Sequence, residues 1–217
     1  MFEFCEKIYE REKDLELEKY KNKKICVIGV GGVGSWTALN FALWGVKKLI
    51  LVDNDKVTIH NLNRTIFRLK DINKFKVDAI KEIIYERRLN CDVVSIKKTY
   101  EQLNRNELKL LDECEYIIDC CDRVLNLRKE HKKKNIIRAG YDAFNLTIHF
   151  NKHKNTINLF GEGGNGYIIT PSVLFSPLFA SLVIVMYTVF DNIHFEQEKI
   201  AKIDIKEVIE WLKEKSI

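Results

Sequence analysis

Lys24-Ile-Cys-Val-Ile-Gly-Val-Gly-Gly-Val-Gly-Ser35 joins four apolar residues to a turn of closely spaced glycines. The apolar run is long enough for a buried strand, and the residues after the turn read as a helix from Gly34 to Leu43. A strand, a glycine turn and a helix in that order satisfy the dinucleotide fingerprint, here Gly29-Val-Gly31-Gly32-Val-Gly34. Positions without side chains let the backbone approach a phosphate, whose charge is favoured at a helix N-terminus. Gly29, Gly31, Gly32 and Gly34 are therefore candidate nucleotide-binding residues. The next apolar run, Lys48–Val52, closes on Asp53, where an acid commonly takes a ribose hydroxyl. The turn alone identifies a nucleotide site without choosing among NAD, FAD and ATP.

Outward from this unit, the pattern alternates. A charged, amphipathic stretch over 3–20 predicts an N-terminal helix. Downstream, helices are expected over Lys74–Arg88, Asn104–Leu111 and Val124–Lys134. Strands are expected over Val93–Ile96, Glu115–Ile118 and Asn135–Arg138. Alternating apolar strands and helices predict an α/β fold with a doubly wound, mainly parallel, Rossmann-like sheet. After Gly140 the pattern changes. Leu146–Phe150 and Thr156–Phe160 alternate about a polar turn and predict a C-terminal antiparallel hairpin. Gly161–Gly166 reads as a loop, Val173–Phe190 as an apolar helix, and Lys206–Lys215 as a final amphipathic helix. The expected organisation is one domain over 1–217. An N-terminal helix (1–22) precedes the nucleotide-binding core (23–140), and a substrate-side hairpin, loop and dimer helices complete it (141–217).

The 217 residues suffice for one sizeable core. A net charge of +5 is mild and does not by itself support a nucleic-acid partner, tRNA included. The six cysteines show neither disulfide nor metal-ligand spacing, which excludes a Cys-x-x-Cys zinc site and suits a reducing cytoplasm. The N-terminal Met1-Phe-Glu-Phe-Cys-Glu-Lys7 has no apolar core of a signal peptide. Val173–Phe190 is at the lower length limit for crossing a bilayer and contains hydroxyls and a proline, so a buried helix is the expectation and no membrane partner is read.

The residues after Asp53 carry the chemistry. Asp55, Asn61, Arg64, Arg68 and Lys76 come in close succession, and Asp119 and Asp122 flank the end of the fourth strand. A hydride transfer has no use for that cation cluster. Nucleotidyl transfer does, because charge must be held on three phosphates and on the departing pyrophosphate. Asp119 or Asp122 would supply the oxygen ligand for the Mg²⁺ that accompanies ATP. His60 reads as solvent-facing, and Cys120 and Cys121 as small core residues.

The glycine turn, Asp53-x-Asp55, Asn61-x-x-Arg64, Lys76 and Asp119-Cys-Cys-Asp122 together resemble the ThiF/MoeB/HesA family, relatives of the ubiquitin-activating enzymes, over roughly residues 10–190. The resemblance implies an ATP·Mg-dependent adenylyltransferase that activates a carboxylate as acyl-adenylate and releases pyrophosphate. By resemblance, Asp53 holds the ribose, Asn61, Arg64 and Lys76 contact the phosphates, and Asp122 is the metal ligand. The chain departs from the family in having no Cys-x-x-Cys pairs, so no zinc is expected. It has no cysteine after Cys121, so no later thiol-transfer step is expected. Thr65 stands where the family often has glutamine. Arg11 is the candidate for an arginine that reaches into a partner's site, which would make the unit a homodimer. Gly31–Trp36 is most similar to tRNA threonylcarbamoyladenosine dehydratases, and the short zinc-free form also resembles the enzyme that adenylates the guanylylpyridinol precursor of the iron-hydrogenase cofactor. The resemblance thus implies a carboxylate borne by a small molecule of that kind, a tRNA threonylcarbamoyl group or a sulfur-carrier C-terminus. The alternatives are an NAD-dependent oxidoreductase and a non-catalytic nucleotide-binding scaffold.

Overall fold

The computed structural model describes residues 7–15, 21–87, 91–123, 125–150, 172–190 and 199–215. Seven strands form one sheet: β1 (Lys24–Ile28), β2 (Lys48–Val52), β3 (Asp92–Ile96), β4 (Tyr116–Asp119), β5 (Asn135–Asp142), β6 (Asn145–Phe150) and β7 (Lys199–Asp204), in the order β3-β2-β1-β4-β5-β6-β7. The pairs from β3 to β5 are parallel, and β5–β6 and β6–β7 are antiparallel. The helices are α1 (Gly32–Trp44), α2 (Lys76–Arg87), α3 (Arg105–Asp112), α4 (Phe175–Val189) and α5 (Ile205–Lys215). The expected doubly wound, mainly parallel sheet with an antiparallel end is present.

The central strands lack polar interruptions because both of their faces are covered. Ile25, Val27, Leu49 and Leu51 face a core shared with α1, α2 and α4, whereas Cys26, Ile28, Ile50 and Val52 face the side of α3. A fully buried aliphatic side chain contributes roughly 1.5–3 kcal/mol, so the two cores hold the strand ends firmly in register. Ile28 sits beside both Val52 and Asp119, which brings Gly29, Asp53 and Cys120 to one carboxyl edge. The strand order reverses between β1 and β4, and that switch point is where doubly wound folds open a ligand crevice.

Three expectations are corrected. Of the helix expected over Val124–Lys134, the described residues 125–134 form only a 3-10 turn at His131–Lys133. Tertiary bonds capture the segment instead. The Arg128 N–H donates to Tyr100 Oη, and Arg138 donates to the Arg123 carbonyl. The His131 ring lies buried between Tyr100 Oη at 2.7 Å and Asp112 Oδ1 at 2.9 Å. The N-terminal helix expected over 3–20 is, within residues 7–15, a 3-10 helix at Glu10–Leu15, with Arg11 exposed on it. The antiparallel hairpin lies earlier than expected. β6 pairs with β5 across a turn at Ala143 (φ 48°), and its other edge is taken by β7. The expected second strand at 156–160 and the loop at 161–166 lie outside the described residues.

The remaining helices match closely. Asn104 caps α3 by accepting from the Asn106 and Glu107 N–H groups, and the Glu107 carboxylate accepts from the Asn104 N–H in return. Helix α4 packs along α1, with the Asn40 amide donating to Ser181 Oγ at 2.8 Å. Pro177 fits its first turn because no helical carbonyl needs that N–H. Only one side of α4 is buried; Phe175, Leu182, Met186 and Phe190 are exposed on the other. Among the described residues no helix is long and apolar enough to cross a membrane.

Candidate nucleotide site

The four glycines of the turn have different physical reasons to be glycine. Gly29 adopts φ +78°, a left-handed conformation disfavoured for side chains, and a Cβ there would lie 2.9 Å from the Cys120 and Cys121 backbone. A Cβ at Gly34 would lie 1.9 Å from the Gly29 carbonyl oxygen, so this glycine lets α1 start hard against the turn. The room left by Gly32 is taken by the Tyr141 ring, whose Oη would lie 2.5 Å from a Cβ at that position. Only at Gly31, the residue that caps α1, would a Cβ meet nothing within 4 Å. The open approach to the N–H groups of the first helical turn is therefore over Gly31.

Asp53 ties this turn to β2. Its Oδ2 accepts the Val30 N–H at 2.8 Å and its Oδ1 accepts the Asp55 N–H at 2.7 Å. Burial pushes the Asp53 carboxyl above its ordinary range, and the positive charge of Lys76 and the two N–H bonds oppose that rise. Each oxygen accepts one backbone bond and keeps a lone pair for a further donor such as a ribose hydroxyl. Asp55 continues the chain of contacts. Its side chain is exposed and its Oδ2 lies 2.7 Å from Nζ of the mostly buried Lys76, whose backbone N–H donates to the Asp55 carbonyl. Thus Val30, Asp53, Asp55 and Lys76 form one bonded series that runs from the glycine turn to an ammonium at the start of α2.

Arg64 and Asn61 lie on the loop between β2 and α2. The Trp36 indole N–H donates to the Arg64 carbonyl at 3.0 Å and so pins this loop to α1. The Arg64 guanidinium donates to the His60 carbonyl and to Asn63 Oδ1, and the His60 side chain is exposed as expected. Asn61 Oδ1 accepts the Thr58 N–H, which leaves the amide N–H₂ as its free chemistry. Thr65 donates to the Asn61 carbonyl at 2.8 Å, a role in holding the turn. Among the described residues, no side-chain bond joins Asn61, Arg64 or Asp122 to the Asp53–Asp55–Lys76 series.

Arg68, one of the cations that follow Asp53, is engaged away from the Asp53–Asp55–Lys76 series. Its guanidinium is engaged by the fully buried Asp71 and by Glu86. Burial alone would raise the Asp71 carboxyl, and the Arg68 bonds outweigh it and hold that carboxyl below its ordinary range. Asp119 is likewise engaged. Its Oδ2 lies 3.2 Å from Arg138 Nε, its Oδ1 accepts the Cys121 N–H, and burial pushes its pKa up to about 6. The exposed Asp122 is the carboxylate left at this strand end. No group of three or more His, Cys, Asp or Glu side chains assembles a metal cage among the described residues. A nucleotide-borne Mg²⁺ needs only one or two carboxylates beside the phosphates and its waters, so a single hard oxygen donor at Asp122 fits that ion. Cys120 and Cys121 are half-buried, and burial raises both thiols well above their ordinary range, so neither is a ready thiolate.

Sequence reasoning missed two contributors. Trp36 stood out only as the end of the Gly31–Trp36 stretch, although a part-buried indole N–H seeks an acceptor and Arg64 supplies it. Tyr141 carried no local signal, because its place over Gly32 is created by the pairing of β5 beyond β4.

The fold is a Rossmann-like sheet with a glycine turn and an acidic strand end at its switch point. The ThiF family profile matches residues 6–145, and the chain belongs to that family. It is 37% identical over 129 residues to tRNA threonylcarbamoyladenosine dehydratase of Bacillus subtilis, covering 55% of this chain and 48% of that protein. It is 32% identical over 143 residues to ubiquitin-like modifier-activating enzyme 5 of Gallus gallus, covering 65% of this chain and 33% of that protein. The chain thus spans at most about half the length of these curated relatives. Among solved structures, Escherichia coli MccB with ATP superposes with a TM-score of 0.69 at 18% identity, covering 91% of this chain and 71% of that one. At that identity the likeness establishes the fold.

Proposed function

We propose that this chain activates a carboxylate by ATP-dependent adenylation, with release of pyrophosphate and without a later cysteine-borne intermediate. The observation that carries the reading is the bonded series from the open glycine turn through Asp53 and Asp55 to Lys76. It links the glycine turn at the start of α1, whose N–H end favours an anion, to the mostly buried ammonium of Lys76. The α-phosphate lies over Gly31, Asp53 accepts from the ribose, and the Asn61 amide, Arg64 and Lys76 hold the remaining phosphates. The substrate carboxylate, already ionised near neutral pH, attacks the α-phosphorus. A new acyl O–P bond forms, the bond to the β-phosphate oxygen breaks, and its electron pair leaves with pyrophosphate, so no general base is needed. Mg²⁺ held by Asp122, when bound, supplies charge neutralisation on the phosphates. Asp119, paired with Arg138 and bonded to the Cys121 N–H, shapes the strand end that carries Asp122.

The substrate class ends at a carboxylate, borne by a small molecule, a carrier-protein C-terminus or a tRNA threonylcarbamoyl group. We read the chain as a single domain that works as a homodimer, for which the apolar stripe of Phe175, Leu182, Met186 and Phe190 on α4 is the supporting surface. Isotope exchange between ATP and pyrophosphate, run over a panel of those three carboxylate classes, tests the activity. Lys76→Ala is expected to weaken ATP·Mg binding at least tenfold while adenosine binding is unchanged. Its partner Asp55 is solvent-exposed, so no buried charge is stranded. Wild-type ATP affinity in that variant would remove Lys76 from the site, and binding of NAD in preference to ATP would overturn the whole reading.

A further inference from the structure

Strand β5 continues beyond the end of its pairing with β4, since Arg138 faces Asp119 and the strand runs on to Asp142. From Arg138 to Tyr141 the strand advances by about 10 Å, so Tyr141 overhangs the carboxyl edge on the side away from Asp53 and Lys76. It leans back across the crevice onto Gly32, the first residue of α1. Of the three atoms nearest to a Cβ built at Gly32, Oη is the closest at 2.5 Å, ahead of Cε1 at 2.8 Å and Cζ at 3.0 Å. The hydroxyl end of the ring, not its face, therefore meets the helix start, one residue from the open position at Gly31. No hydrogen bond of that hydroxyl occurs among the described residues, and the first-turn N–H groups of α1 have no carbonyl within the helix to serve.

The geometry points to Tyr141 as a further ligand-contacting residue of the nucleotide site, with its O–H donating to the phosphoryl group that lies over Gly31. The crevice then has two unlike walls. The wall over β2 carries the Lys76 ammonium and takes the outer phosphates. The wall over β5 carries a neutral donor and takes the α-phosphoryl oxygen that remains after pyrophosphate has left. This assignment rests on the adenylation reading above and adds to it which group holds the product half of the nucleotide.

The test is calorimetric binding of AMP, ATP·Mg and adenosine to wild type and to Tyr141→Phe. The ring is retained in the variant, so its packing against Gly32 persists, and an unchanged thermal midpoint checks that. Loss of a hydrogen bond to a charged oxygen is expected to weaken AMP and ATP·Mg about tenfold or more, with adenosine unaffected. Equal AMP affinities in the two proteins would overturn the assignment and leave Tyr141 as packing. A uniform loss across all three ligands would also overturn it, since that marks a structural effect. Absence of binding of any adenine nucleotide by the wild type would instead bring down the adenylation reading, and this assignment with it.

Discussion

Replacing Gly34 and Gly31 separately by alanine should give opposite results, although the two lie close together in one turn. A methyl group at Gly34 starts 1.9 Å from the Gly29 carbonyl oxygen, and real Cβ contacts essentially never fall below 3.0 Å. The clash is with backbone, so no rotamer change relieves it. Gly29 cannot retreat either, because its Cα already backs onto the Cys120–Cys121 peptide, 2.9 Å from where its own Cβ would stand. Overpacking of a rigid site costs typically about 1–3 kcal/mol, and this case belongs at the upper end. The gain in helix propensity from glycine to alanine returns at most about 1 kcal/mol. Gly34→Ala should therefore lose about 2 kcal/mol in urea unfolding. A methyl at Gly31 meets nothing within 4 Å and should change stability by less than about 1 kcal/mol. It fills the one open approach to α1, however, so ATP·Mg binding should fall at least tenfold by calorimetry. Wild-type stability in Gly34→Ala, or wild-type ATP affinity in a folded Gly31→Ala, would refute the sorting of the glycines.

Arg68→Ala should lower stability by about 3 kcal/mol, the scale for removing one partner of a buried ion pair, because Asp71 is fully buried. Its ATP·Mg affinity should remain that of wild type, and a selective loss of affinity would return Arg68 to the site. For Asp119 the folded carboxyl titrates at about 6, above its ordinary value of 3.8, with burial the chief cause and the Arg138 charge opposing it. The unfolded chain thus releases this proton first, and the stability held in the protonated form is lost as pH rises from about 4 to about 6. Asp119→Asn removes the titrating carboxyl and should lack that decline. Parallel stability–pH curves for variant and wild type would rule the mechanism out.

The parts legible from the sequence are those fixed by contacts near in the chain. The apolar pattern of the central strands predicted their place because both faces of each strand are covered. Asn104 marked the start of α3 because a cap bonds to N–H groups two and three residues on. The glycine turn and Asp53 were visible as candidates because they follow the carboxyl ends of adjacent strands, and Lys76 because a cation opens the next helix. Val124–Lys134 read as helix because periodicity cannot register that Tyr100, Asp112 and Arg138 take hold of it from other elements. Arg68 counted among the cations after Asp53 because a cation's partner is invisible until Asp71 and Glu86 are seen beside it.

What the sequence alone determined, then, was a parallel nucleotide-binding sheet with an acidic and cationic cluster after its second strand, because periodicity, glycine spacing and strand-end position are properties of short segments. Which glycine opens to a ligand, which carboxylates are held by Arg138 or Lys76 and which remain free were decided only by tertiary structure. So was the arrival of Tyr141 over Gly32. Each of these depends on strand register and on contacts between elements far apart in the chain, and such contacts are set by the packing of the whole sheet.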